Sequence, residues 1–203
     1  MRHLIIVAHP RAKSFNHSIV EAYTATLIEH GHRVACRDLY AIGFNPILSA
    51  RDIAAIANGK PPKDIRSELK AMGAADAITL ISPLWWSGFP AMLKGYVDRI
   101  FTAASTYLSK HKNARPSLSG KKGAIIMTSE ASLGELKSSG TLRPLEKYHQ
   151  EMMEYCGAEL VGQLYLGGIG PMMSRTPPKG ISNLCDVSRA ARFSRVRQTS
   201  LMA

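Results

Sequence analysis

Cysteine is scarce in this chain, and long apolar runs are absent. The three cysteines are odd in number, widely spaced and free of any C-x-x-C pattern (Cys36, Cys156 and Cys185), so the sequence predicts neither a disulfide framework nor a zinc site. No apolar run approaches the ~20 residues that a membrane-spanning helix needs. The first residues lack the small-residue cleavage site of a secretory signal. We therefore expect a soluble cytoplasmic protein with no bound metal and no membrane insertion.

Acidic residues are also few. Lys and Arg number 26 against 15 Asp and Glu, which gives a formal net charge of +11. Part of this excess lies near the end of the chain, at Arg175, Lys179, Arg189, Arg192, Arg195 and Arg197. Such a charge suits nucleic acid, but no helix-turn-helix, zinc or RRM-like pattern accompanies it, and a positive surface also attracts NADPH. We expect no nucleic-acid partner.

The glycine-rich motifs that hold nucleotide phosphates are missing as well. Neither G-x-G-x-x-G nor a P-loop follows the first predicted strand, which excludes the dinucleotide fingerprint and the P-loop nucleotide triphosphatases. The first turn of the chain lies there and runs from His9 to Asn16, with Ser14 predicted as a helix N-cap. Because a helix N-terminus favours an anion, we predict a phosphate or pyrophosphate site with Ser14 and Asn16 as donors. The alternative is that Ser14 only caps the helix and His9 packs as a neutral side chain.

Hydrophobic patterning predicts an alternation of strands and helices. Apolar runs of strand length alternate with stretches of helical spacing. The predicted strands are 3–8, 33–37, 76–81, 122–127 and 160–166, and the predicted helices are 14–31, 50–57, 65–72, 91–104 and 142–156. This order is typical of a parallel sheet covered by helices on both faces, with ligands bound beyond the carboxyl ends of the strands.

Both tryptophans of the chain fall in one loop after the third predicted strand. The loop reads Pro83-Leu84-Trp85-Trp86-Ser87-Gly88-Phe89-Pro90. Exposed aromatic area usually covers something, and a planar conjugated ring would fit such a surface, with main-chain amides bonding its polar edge. Core packing of the tryptophans is the alternative.

The loop at 128–140 is polar and small enough to bend around a ligand edge, although solvated loops of this kind are more common.

Four segments together carry a resemblance to a known family. They are the turn His9–Asn16, the stretch DLYAIGFNPILSARD at Asp38–Asp52, the block PLWWSGFPAMLKGYVDRIF at Pro83–Phe101, and the strand that ends at Thr128. These segments resemble the NAD(P)H:quinone reductase family of flavodoxin-like proteins. The third segment is the most specific of the four.

The resemblance implies an α/β fold of the flavodoxin-like kind. We expect a three-layer sandwich over residues 1–170, with a five-stranded parallel sheet of order 2-1-3-4-5 and helices on both faces. A basic C-terminal segment, 171–203, would then be mobile or lie at a subunit interface. The resemblance also implies bound FAD, with FMN as the alternative, and NADPH or NADH as the electron donor.

The site residues are carried over from the matching segments. The flavin phosphates are expected at the first turn, the flavin ring at the tryptophan loop, the pyrimidine edge at the end of the fourth strand, and the acceptor beside one tyrosine. The corresponding residues are His9, Ser14, Phe15 and Asn16; Pro83, Leu84, Trp85, Trp86 and Ser87; Met127, Thr128, Ser129 and Glu130; and Tyr107.

The implied activity is hydride transfer from NAD(P)H through flavin to a quinone-like, azo or nitro acceptor, by a ping-pong mechanism in a homodimer. One departure from the family pattern bears on it. Members usually show a T-T-G-G turn followed by a Tyr and a His that steady charge on the reduced flavin, whereas no Tyr or His lies between Thr128 and Arg143 here. Lys137, or amides of the loop, are the candidates to compensate that charge. The departure also motivates an alternative function, a flavin-binding regulatory subunit of a membrane transporter with little turnover.

Overall fold

Five parallel strands form one sheet at the centre of the protein. The computed structural model describes residues 1–104 and 118–170. Its strands are β1 (Arg2–Val7), β2 (Arg33–Asp38), β3 (Ala77–Pro83), β4 (Lys122–Thr128) and β5 (Glu159–Leu166). Their order is β2-β1-β3-β4-β5, so the predicted flavodoxin-like topology is confirmed. Tyr107 and the predicted C-terminal segment, 171–203, lie outside the described residues.

Helices connect successive strands. They are α1 (Phe15–Glu29), α2 (Ala50–Ala57), α3 (Lys63–Ala74), α4 (Ala91–Tyr96) with a π-helical turn directly after it (Val97–Phe101), α5 (Leu133–Ser138) and α6 (Leu142–Tyr155). No helix in the described part of the chain has the length and apolar character needed to cross a membrane.

The apolar runs of the central strands are continuous because both faces of the sheet are covered. Along β1, Leu4 and Ile6 pack into a core that includes residues of α3 and α4, whereas Ile5 and Val7 pack against α1. Each fully buried side chain of this size contributes about 1.5–3 kcal/mol. The edge strand β2 is only partly buried, and its sequence is correspondingly more polar.

A buried arginine ties the long connection between β2 and α3 to the helix at 91–104. Arg99 is 2% exposed and lies in the π-helical turn. Its guanidinium group pairs with Asp52 at 3.3 Å and Asp64 at 2.7 Å and donates to the carbonyl oxygen of Asn45 at 2.8 Å. Because breaking one partner of a buried ion pair is costly, these contacts hold residues 41–62, most of the connection between β2 and α3, in an ordered position.

Helix α5 lies where the sequence suggested an irregular polar loop. Ser132 is its N-cap, with its side chain accepting from the amide of Glu135, while the Glu135 carboxylate accepts from the amide of Ser132 at 2.7 Å. This is a capping box, and its S-x-x-E spacing is visible in the sequence. The helix was overlooked because six residues give too little apolar periodicity to detect.

Two buried histidines are expected to make the fold sensitive to mild acid. His3 and His149 are 3% and 0% exposed, and burial lowers the pKa of each to about 4. The unfolded chain, with histidine near 6.5, binds more protons than the folded one between pH 6.5 and 4. Stability therefore falls as pH drops through this window, by up to about 3 kcal/mol for each histidine.

The substitution His149→Asn should remove part of this acid sensitivity. Asparagine retains a polar atom for Tyr165, whose hydroxyl lies 2.9 Å from Nδ1 of His149, but it does not titrate. We expect the loss of unfolding free energy between pH 7 and pH 4.5, measured by urea denaturation, to shrink by about 2–3 kcal/mol. His30→Asn, an exposed change at the end of α1, should leave the loss unchanged. An unchanged loss in His149→Asn would contradict the assignment.

Candidate functional site

A cleft opens at the carboxyl ends of three adjacent strands, β1, β3 and β4. Its volume is 780 Å³, within the range of small-molecule and cofactor sites. The lining comes from the ends of β3 and β4, from the loops after the three strands, from residues of α1 and α5, and from the chain after β5. The lining residues are His9, Arg11, Lys13, Ser14, Phe15, Asn16, Pro83, Leu84, Trp85, Trp86, Ser87, Thr128, Ser129, Glu130, Ala131, Leu136, Ile169 and Gly170.

The structure brings nearly all of the predicted site residues together in this cleft. Met127 is the exception among the described residues, because its side chain is 1% exposed and belongs to the core. It was predicted at the flavin, but it lies inside β4, one residue before the strand ends. The sequence did not predict six further lining residues: Arg11, Lys13, Ala131, Leu136, Ile169 and Gly170. Of these, only the basic residues Arg11 and Lys13, inside the turn at His9–Asn16, carry a signal in the sequence.

The first turn presents the N-terminus of α1 to the cleft. Ser14 is the N-cap, but its side chain makes no capping hydrogen bond. The amides of Phe15 and Asn16 have no acceptor among the described residues, as expected for the first turn of a helix. The first helical turn of α1 also contains no acidic residue. These features favour an anion at this end of the cleft.

His9 supplies a further donor there. Its Nδ1 accepts from the amide of Arg11 at 3.0 Å, so the proton of the neutral ring resides on Nε2. Burial lowers the pKa of His9, which keeps the ring neutral near pH 7. The cationic side chains of Arg11 and Lys13 complete a positively charged end of the cleft.

Hydrogen bonds hold the three loops in a fixed relation. Asn16, 2% exposed, donates from Nδ2 to the hydroxyl of Thr128 at 3.0 Å. The carbonyl oxygen of Thr128 accepts from the amide of Leu84 at 2.7 Å. The end of β4 therefore connects the first turn to the tryptophan loop, and the cleft is preformed.

The tryptophan loop is a strained two-residue turn. Trp85 and Gly88 exchange backbone hydrogen bonds of 3.1 and 3.0 Å, and the residues between them are left-handed, with φ of 52° at Trp86 and 59° at Ser87. Turns of this shape prefer Asn-Gly, and each non-glycine residue there costs about 1–2 kcal/mol. The Trp86 side chain is fully exposed. Strain combined with an exposed indole beside a cleft is typical of a functional site.

The third loop of the cleft follows β4 at residues 129–132, and the chain that follows β5 holds it in place. The amide of Ser129 donates to Leu166, and the amide of Ile169 donates to Ser129, at 2.9 and 2.8 Å. Gly167 lies so close that a Cβ atom there would come within 2.7 Å of the Ala131 carbonyl oxygen. The amides of Glu130 and Ala131 find no acceptor among the described residues, and both residues line the cleft.

Lys137, predicted to compensate charge on the flavin, does not line the cleft. It sits near the end of α5. Burial raises the pKa of Glu146 on α6, and Lys137 partly opposes that rise, so its charge acts toward α6. Glu135 is also outside the lining, with its carboxylate bound to Ser132, which leaves Glu130 as the acidic residue of the lining. Unpaired loop amides remain as donors.

Comparison with known proteins agrees with this architecture. A family model described as flavodoxin-like fold matches residues 1–182. An uncharacterized NAD(P)H oxidoreductase of Haemophilus influenzae is 37% identical over 163 residues, covering 79% of this chain and 81% of the relative. NAD(P)H dehydrogenase [quinone] 1 of Rattus norvegicus is 29% identical over 205 residues, covering 87% and 71%.

Solved structures lead to the same group of proteins. The NAD(P)H:quinone oxidoreductase from Methanothermobacter marburgensis superposes with a TM-score of 0.75 at 29% identity, covering 93% of this chain and 92% of that one. The family match spans most of the sequence. It agrees with the strand order of the sheet, with the position of the cleft and with the names of the relatives. The chain therefore belongs to the flavodoxin-like fold family, among relatives named as NAD(P)H oxidoreductases.

Proposed function

We propose that the protein is a flavin-dependent NAD(P)H oxidoreductase that passes a hydride from NAD(P)H to a quinone-like, azo or nitro acceptor. The observation that carries this proposal is the pairing of two features within one cleft of a flavodoxin-like fold. One end offers donors and positive charge for phosphates, and the other offers an aromatic turn with unpaired amides. A flavin nucleotide has the matching halves, a phosphate chain and a planar ring with a polar edge.

The phosphate end of the flavin belongs at the first turn. The amides of Phe15 and Asn16 donate along the axis of α1, where the helix dipole adds to their effect. Arg11 and Lys13 neutralise the phosphate charge, and Nε2 of His9 donates a hydrogen bond. In contrast, the side chain of Asn16 is already bonded to Thr128, so Asn16 contributes its amide.

The ring end of the flavin belongs between the tryptophan loop and the third loop. Trp86 and Ser87 have amides without an acceptor among the described residues, and the left-handed turn fixes their direction. The amides of Glu130 and Ala131 serve the pyrimidine edge, where they take the place of the Tyr and His that this chain lacks. The bound flavin supplies the hydride chemistry itself.

NAD(P)H and the hydride acceptor would use the same open side of the site in turn, which predicts ping-pong kinetics. FAD is our first choice of cofactor and FMN the alternative, because the first turn resembles that of FAD-using members.

A second subunit would complete each site, so we propose a homodimer. The connection between β2 and α3 carries exposed apolar side chains at Ile42, Ile47 and Ile53, which supports a second subunit packing there. Light scattering of the purified protein measures its mass and so tests the dimer.

The test of the cleft is a flavin titration with matched charge variants. The double substitution Arg11→Ala/Lys13→Ala removes two positive charges from the phosphate end. We expect the dissociation constants of FAD and FMN, followed by flavin fluorescence, to rise about tenfold at low salt. The effect should shrink near 1 M salt, where the screening length is only about 3 Å.

The control is Arg66→Ala/Lys70→Ala, which removes the same two residue types from exposed positions of α3. It should leave both dissociation constants within about twofold, because its charges lie outside the cleft lining. Equal weakening in the two double variants would mean that overall charge alone attracts the flavin. That result would argue against a phosphate site at the first turn.

A further inference from the structure

A chain of three side chains leads from the cleft to the end of β2. Oγ of Ser14 lies 2.7 Å from Nδ1 of His17, and Nε2 of His17 lies 3.0 Å from a carboxylate oxygen of Asp38. The other oxygen of Asp38 accepts from the amides of Tyr40 and Ala41 at 3.1 and 3.2 Å. The carboxylate is therefore fixed in place, and it fixes the imidazole in turn.

This chain explains why Ser14 does not cap its own helix. An N-cap serine ordinarily accepts from an amide of the first turn. Here the hydroxyl is held by His17 instead. The first-turn amides of α1 stay available to a ligand, and Ser14, 6% exposed and lining the cleft, keeps its oxygen at the phosphate end.

The direction of these hydrogen bonds depends on one proton. A carboxylate only accepts, so Nε2 of His17 donates to Asp38. With a neutral ring, Nδ1 must then accept the hydroxyl proton of Ser14, and the serine turns lone pairs toward an anion in the cleft. With a protonated ring, Nδ1 donates to Ser14 instead. The hydroxyl proton is then free to be donated to a phosphate oxygen.

The charged groups around His17 are few. Asp38 faces it from the end of β2, and the ring of His9 in the first turn stands 6.4 Å away between centroids. Burial lowers the pKa of His9, so that ring adds no charge near pH 7. Arg11 belongs to the same turn, and Glu21 follows one helical turn later on α1. The bound phosphate would add negative charge beside Ser14.

We propose that Asp38 and His17 position the Ser14 hydroxyl for the flavin phosphates, and that flavin binding takes up a proton at His17. The inference rests on the proposed function, because the anion is the phosphate part of the flavin. Both residues act through Ser14, so they are positioning residues. The consequence is a flavin affinity that declines as the pH rises.

The experiment is a titration of the full-length apoprotein with FAD between pH 6 and 8.5. FAD is used because its diphosphate does not titrate in this range, whereas a phosphate monoester such as that of FMN titrates near pH 6. We expect the dissociation constant of the unsubstituted protein to rise with pH, with a limiting slope of about tenfold per pH unit.

Two substitutions separate the contacts of His17. The amide of an asparagine falls near the position of Nδ1, so His17→Asn keeps a non-titrating donor for Ser14. It should bind FAD with the low-pH affinity, within about threefold, at every pH. The amide of a glutamine falls near Nε2, so His17→Gln keeps Asp38 and loses Ser14. It should bind about tenfold more weakly at pH 6.

The control is His30→Asn at the exposed position directly after α1, which should keep the slope of the unsubstituted protein. Calorimetry in two buffers that contain no phosphate, Pipes and Tris, gives a second measure, with proton uptake on FAD binding in the unsubstituted protein and none in His17→Asn. A dissociation constant independent of pH, or an unchanged slope in His17→Asn, would overturn the inference while leaving the flavin site intact. Absence of FAD and FMN binding at every pH would instead overturn the proposed function, and the inference with it.

Discussion

Replacing Gly95 with alanine should destabilise the protein by about 3 kcal/mol or more, because the new methyl group has no space. Gly95 lies in α4 against Pro46, and a Cβ atom there would stand 2.6 Å from the Cα of Pro46 and closer still to its carbonyl oxygen and Cβ. Two backbones are in contact, so no side chain can move aside. Relief requires the connection at 41–62 to shift, and Arg99 holds that connection through Asn45.

The matched control for this change is Gly73→Ala in α3. A Cβ atom there meets nothing within 4 Å, and alanine is favoured over glycine in a helix by about 1 kcal/mol. Urea denaturation should therefore show one alanine substitution strongly destabilising and the other neutral or slightly stabilising. Similar midpoints for the two variants would contradict the close packing of α4 on Pro46.

The substitution Gly167→Ala is expected to damage the cleft itself. Its Cβ atom would lie 2.7 Å from both the Ala131 carbonyl oxygen and the Leu133 amide nitrogen, and 2.9 Å from the Ser132 carbonyl carbon. The third loop must move to accommodate it, and that loop supplies the amides assigned to the pyrimidine edge. We expect FAD to bind at least about tenfold more weakly and the protein to lose about 2 kcal/mol of stability.

Gly134→Ala provides the comparison for this second change. Gly134 lies in α5, within the same segment, but its Cβ atom would make only an ordinary contact of 3.8 Å with Ser132. This variant should bind FAD as the unsubstituted protein does. If Gly167→Ala also bound FAD normally while remaining folded, the third loop would not hold the flavin.

The predictable part of the fold is the part governed by burial. The central strands carry continuous apolar runs because helices cover both faces, and β3 and β4 were placed to within two residues. The surroundings of Arg99 could not be predicted in this way. The π-helical turn that contains Arg99 accompanies ion pairs to Asp52 and Asp64. Because these partners are distant in the sequence, no local sequence pattern predicts the π-helical turn.

The position of the cleft was predictable for a geometric reason, since the carboxyl ends of parallel strands meet at one edge of a sheet. The direction of individual side chains was not. Met127 was assigned to the flavin, but it precedes the end of β4 and faces the core, whereas Thr128 bonds Asn16 in the cleft. Ile169 lies in the lining and its amide donates to Ser129, which is a contact between loops distant in the sequence.

The oxidoreductase function is tested most directly by the visible spectrum of the flavin-loaded protein under anaerobic conditions, recorded before and after addition of NADPH. We expect flavin absorbance that bleaches with NADPH and returns when a quinone is added. A bound flavin that never bleaches would contradict the oxidoreductase and favour a regulatory flavoprotein. Failure to bind any flavin after reconstitution would contradict the assignment of the cleft.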